Sequence, residues 1–98
     1  MTGLLDRVLH YLAGHTNYRI VEVTGSQVTV AANGTKTIDV PLPTSGTAIA
    51  IVGWYFLGGA GCSIYGLKLT TSGAQILVRN LLNSQQNVTT TVRYLVVD

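Results

Sequence analysis

The sequence predicts an all-β fold: an antiparallel β-sandwich, jelly-roll-like, of about seven strands with one short N-terminal helix. Three observations predict it. From Tyr18 onward, apolar and polar residues alternate with the period of two that belongs to strands with one buried face. Glycine, proline, asparagine and serine interrupt that alternation every 8–12 residues or so, roughly the turn spacing of sandwiches and barrels. The runs between the turns are rich in β-branched and aromatic residues, which favour a pleated, half-buried surface.

Before the strands comes the only stretch with helical spacing, residues 4–12. Leu5, Val8, Leu9 and Leu12 recur on one face, Asp6, Arg7 and His10 take other positions, and Gly14 is placed to cap the end. A helix this short is marginal alone in water, so its apolar stripe needs the domain, its own copies or a partner. Residues 1–17 are therefore expected to form an assembly or attachment segment, and residues 18–98 the β domain.

Strands are expected over residues 18–23, 27–31, 35–40, 47–57, 62–70, 74–80 and 88–97. Asn33-Gly34 is a strong hairpin signal. A two-residue loop there would set Val28 opposite Asp39. A loop one residue longer sets Val28 opposite Ile38, apolar against apolar. Since burial fixes register, a longer, bulged loop is favoured, with a crossing between two sheets as the alternative. Pro41-Leu42-Pro43 leads out of the third strand, because proline gives no ladder donor.

Residues 48–67 carry no charge. Their length would allow a membrane-crossing helix. Gly53, Gly58, Gly59, Gly61 and Gly66 oppose this, each costing a helix about 1 kcal/mol relative to alanine. The favoured reading is two strands joined by Gly58-Gly59-Ala60-Gly61, with no membrane span. Simple alternation along the first of them sets Ile49, Ile51, Gly53, Tyr55 and Leu57 on one face. Ala48, Ala50, Val52, Trp54 and Phe56 fall on the other. Both faces are apolar, so both call for cover.

The composition points the same way. Charged residues make up 10% of the 98-residue chain and hydrophobic residues 47%, whereas about 25% charge is usual in soluble domains. A small surface with so little charge is expected to be covered in part by a homo-oligomer. The formal net charge of +2 and the scatter of six basic residues give no stripe to follow phosphates, so no nucleic-acid partner is expected. Cys62 stands alone and is expected as a buried, reduced thiol beside the glycine turn. His10 and His15 do not share a helix face and lie far from Cys62, so no metal or cofactor is expected. The acids Asp6, Glu22, Asp39 and Asp98 form no catalytic pair, Asp98 being expected to be mobile. No enzymatic activity is expected. Trp54, Tyr55 and Tyr65 offer rings that could stack on a sugar.

Three segments carry a family resemblance together: VTVAANGTKTIDVPLPTSGT, AIVGWYFLGGAGCSIYGLKLT and AQILVRNLLNSQQNVTTTVRYLVV. They resemble small bacteriophage or prophage virion proteins, the β-sandwich head domains of tail, baseplate or head fibres. The resemblance implies a non-enzymatic structural protein of the virion, made in the bacterial cytoplasm and assembled as a homotrimer. It also implies contact with other virion proteins and with the host cell surface, a surface glycan included. On this reading Leu5, Val8, Leu12, Val52, Trp54, Phe56, Arg79 and Arg93 are the candidate oligomer interface, and Tyr55 and Tyr65 the candidate surface-binding residues. A lectin-like carbohydrate-binding module is the alternative, and a small single-span membrane protein the second alternative.

Overall fold

The structure, a computed structural model, describes residues 18–98. The expected helix, with Leu5, Val8 and Leu12, lies outside the described residues. Seven strands follow in order: β1 (Tyr18–Thr24), β2 (Val28–Val30), β3 (Thr35–Pro41), β4 (Thr47–Gly58), β5 (Cys62–Thr70), β6 (Gly73–Asn80) and β7 (Gln86–Val97). Each expected strand is present, its ends moved by at most two residues.

The strands form two antiparallel sheets. In the first, β7 is central, with β1 and β2 end to end along one side and β4 along the other. In the second, the order is β3-β6-β5. The inner faces meet in one core of Val30, Ile38, Val40, Ala74, Ile76, Val78, Val88, Val92, Tyr94 and Val96. Alternate residues of β6 and β7 supply seven of these ten, so the two central strands form the middle of the core. Burying each large aliphatic side chain contributes about 1.5–3 kcal/mol.

At Asn33-Gly34 the favoured bulged hairpin is corrected and the alternative, a crossing between two sheets, holds. β2 pairs with β7 and β3 with β6, so the chain crosses here from one sheet to the other. The turn chemistry is kept: Asn33 is left-handed at φ 56° and the Gly34 N–H bonds the Ala31 carbonyl at 2.9 Å. A hairpin would leave Val30 and Val40 in one sheet, whereas the crossing lets both enter one core from opposite sides.

Buried Asn80 holds this crossing in place. Its Nδ2 lies 3.3 Å from the Val30 carbonyl, 3.2 Å from that of Ala31 and 2.8 Å from that of Ser84. Its Oδ1 accepts the Leu82 N–H at 2.9 Å. One amide thereby ties the β2–β3 turn to the β6–β7 connection. The glycine run reverses the chain between β4 and β5, with Gly58, Gly59 and Gly61 all at positive φ. A Cβ on Gly58 would sit 2.6 Å from the Asn87 carbonyl oxygen.

Two further expectations are corrected. Asp98 is ion-paired with Arg19 at 2.9 Å, because Arg19 on β1 lies beside the end of β7. Cys62 is half-buried rather than buried, since β5 is an edge strand.

Candidate interaction surface

The edge strands of the two sheets approach each other on both flanks. β3 lies against β1 and β2 on the first flank, and the edge strands β4 and β5 meet on the second. Antiparallel partners share a face, so the registers fix which side chains point inward. On β4 these are Ala48, Ile51, Trp54 and Phe56, opposite Val96, Tyr94, Val92 and Thr90. On β5 they are Cys62, Ile64, Leu67 and Leu69, opposite Asn80, Val78, Ile76 and Ala74. Ile51, Phe56, Ile64 and Leu69 pack against the core. Trp54 and Leu67 also face inward, yet stay 42% and 40% exposed.

Bulges shape this flank. The register of β4 slips at Ile49 and again at Val52. Each extra residue moves the alternation by one place. Ile51 therefore turns inward and Ala50 outward, which corrects the simple alternation, and Val52 occupies a bulge instead of a regular inward position. Trp54 and Phe56 keep the shared face expected of them, their rings 5.4 Å apart. β5 bulges once, at Tyr65. Gly66 follows it, and a Cβ there would meet Leu77 Cδ1 at 2.7 Å.

The arginines fall on opposite outer faces. Arg93 crosses the first sheet, its Nε 3.0 Å from Glu22 Oε2 and its guanidinium carbon 5.9 Å from the Tyr55 ring centroid. It runs over Gly53, where a Cβ would meet Arg93 Cδ at 3.4 Å, an ordinary contact. Both partners of this ion pair are about half exposed, which limits its worth to about 1 kcal/mol or less. Arg79 lies on the outer side of the second sheet, between Thr35 and Ser63. Arg79 and Arg93 thus do not share a face with Trp54 and Phe56.

Nor do the aromatic residues form one platform. Trp54 faces inward and its neighbour Tyr55 outward on β4, while Tyr65 sits at the bulge of the other sheet. Tyr55 and Tyr65 are both exposed but separate. Leu67 and Ile49 were missed as surface residues. The available signal was glycine: Gly53 and Gly66 each directly follow a bulged residue, and glycine inside a strand often marks a bulge.

The end of the molecule carries an open hollow of about 620 Å³ lined by Leu42, Pro43, Ala48, Leu69 and the threonines 47, 70 and 71. None of these residues is titratable. Among the described residues, no three of histidine, cysteine, aspartate and glutamate gather as a metal site. No described helix is long and apolar enough to cross a membrane. Burial pushes the Cys62 thiol up from its ordinary range, the opposite of what activates a nucleophile. Compared with models of protein families, with curated proteins and with solved structures, the chain matches none.

Proposed function

We propose that this chain is a non-enzymatic structural protein of a bacteriophage particle, a β-sandwich head domain of the fibre or baseplate type that works as a homotrimer. The observation that supports it is incomplete cover. β4 has no charged residue in twelve and is apolar on both faces, while β5 and β6 cover only part of one of them. The family resemblance supplies the virion setting, the trimer and the role at the host surface. In that role, closed symmetry sets copies of a weak surface site side by side, so modest affinity for a repetitive host polymer becomes avidity.

The test is the particle itself. Phage particles purified from the strain that encodes this chain should contain it in stoichiometric copies by mass spectrometry. Light scattering on the isolated protein should give about three times the 10.4 kDa chain mass. Particles lacking the chain would remove the virion reading. The lectin-like reading draws less from the geometry, because Trp54, Tyr55 and Tyr65 do not converge.

A further inference from the structure

We infer that the flank between β4 and β5 is the surface by which one copy of this chain binds a second. The inference rests on the oligomer proposed above and assigns the interface within it.

Area is the first argument. Trp54 and Tyr65 are 42% and 58% exposed, and Ile49, Val52 and Leu67 between 40% and 50%. At about 150–250 Å² for a ring, and at the area implied by about 1.5–3 kcal/mol for each aliphatic residue, these five leave about 330 Å² of apolar side chain in water. A standard interface removes about 800 Å² from each partner, of which about 57% is apolar. That amounts to about 450 Å², so the flank supplies about three-quarters of the apolar area that one face of a standard interface needs.

Charge is the second argument. The flank has one charged side chain, Lys68, and its pairing with Gln75 sets it on the outer side of β5. An acidic, basic or phosphorylated partner would find nothing here to recognise.

The third argument is backbone. Among the described residues β4 pairs only with β7 and β5 only with β6, so within them each has one unpaired ladder edge. Proteins usually blunt such edges with bulges, charge or proline. β4 is bulged at Ile49 and Val52, but from Trp54 to Gly58 it pairs in unbroken register with no charged or proline residue. A second copy brings an apolar flank and unpaired edges of the same kind, at equal concentration.

The 98-residue chain tests this through its single tryptophan, which lies on the flank. Light scattering should give a multiple of 10.4 kDa, with Trp54 shielded from acrylamide. Val52→Lys and Leu67→Lys should each return the mass to one chain and raise the quenching constant several-fold. Ile20→Lys, on the exposed outer face of β1 across the sheet, should leave mass and quenching unchanged. A multimer that survives both flank substitutions but dissociates with Ile20→Lys would overturn the assignment and keep the oligomer. A wild-type monomer at micromolar concentration would overturn both. Should the flank variants fail to fold by circular dichroism, wild-type quenching decides: a multimer whose Trp54 is as accessible as a free indole refutes the interface.

Discussion

The hydroxyl of Tyr94 accepts the backbone N–H of Ala74 at 2.9 Å, a hydrogen bond that runs from one sheet to the other. The same hydroxyl shares its proton between the carbonyls of Val40, at 2.8 Å, and Pro41, at 3.0 Å. Tyr94 lies in the C-terminal half of β7 and is fully buried. Its ring fills the core and its oxygen reaches the β3–β6 ladder where Val40 pairs with Ala74. One side chain thereby joins the central strand of the first sheet to two strands of the second.

Tyr94→Phe keeps the ring and removes the bolt. It leaves the Ala74 N–H without its buried acceptor, at an expected cost of about 1–3 kcal/mol. Denaturant unfolding should show a lower midpoint with an unchanged slope. The wild type should also lose stability in alkali. Burial raises the phenol above its ordinary value of 10, and the Ala74 N–H offsets part of that rise. This contribution is whole below pH 10 and is lost as pH climbs through the raised folded value. Absorbance titration should show one tyrosine ionising only as the protein unfolds, and that component should be missing in Tyr94→Phe.

Thr90 makes the contrasting case. It sits on the same inner face of β7, opposite Phe56, with its Oγ1 buried and unpartnered among the described residues. An orphaned hydroxyl carries its desolvation cost with no bond in return. Thr90→Val conserves the shape and should raise stability by about 1 kcal/mol, or melting temperature by about 5 °C for a domain of this size. A lower melting temperature would mean that the hydroxyl is bonded in solution and that its burial is purposeful.

Period two made most strands legible, because alternation depends only on neighbours along the chain. β4, apolar on both faces, was legible from its β-branched and aromatic residues and the glycines after it. Sheet membership was not legible, since nothing local to Asn33-Gly34 tells a hairpin from a crossing; the core decides that. The shared face of Trp54 and Phe56 was legible because no bulge falls between them. The inward turn of Ile51 was hidden by the bulges on either side of it, although Gly53 marked one of them. The separation of Arg79 from Arg93, and of Tyr55 from Tyr65, follows from strands belonging to different sheets. Nothing local marks Asn80 or Tyr94 for its role, and only the fold shows their bonds reaching across it.

Cys62 should behave as a slow thiol. Burial disfavours its thiolate and so raises its pKa, and the thiolate is the reactive form. A thiol reagent at neutral pH should label the native protein several-fold more slowly than the denatured chain. Because the residue is only half-buried, labelling should proceed without global unfolding and show little dependence on sub-denaturing urea. A rate that tracks the unfolding equilibrium would place the thiol deeper than the edge strand allows.

The Arg19–Asp98 pair should govern part of the acid limb of stability. Arg19 Nε meets Asp98 Oδ2 at 3.0 Å and Nη2 meets Oδ1 at 2.9 Å, while Nη2 also donates to Ser45 Oγ at 2.8 Å. The fork joins the start of β1, the end of β7 and the β3–β4 loop. Gly46 allows the approach: it is left-handed, and a Cβ there would sit 2.6 Å from Asp98 Oδ1. The guanidinium, first by hydrogen bonding and also by its charge, holds the Asp98 carboxyl below its usual 3.8. A carboxyl depressed on folding stabilises the native state above the unfolded value, and that stability is lost as pH falls through the folded one. Asp98→Asn should therefore unfold at lower denaturant than the wild type at pH 7, by an amount constant down to about pH 4. The gap should close below that pH, and it should shrink at high salt because the pair is exposed. A gap that persists at pH 2 would assign the effect to packing at Gly46 and Val96 instead of charge.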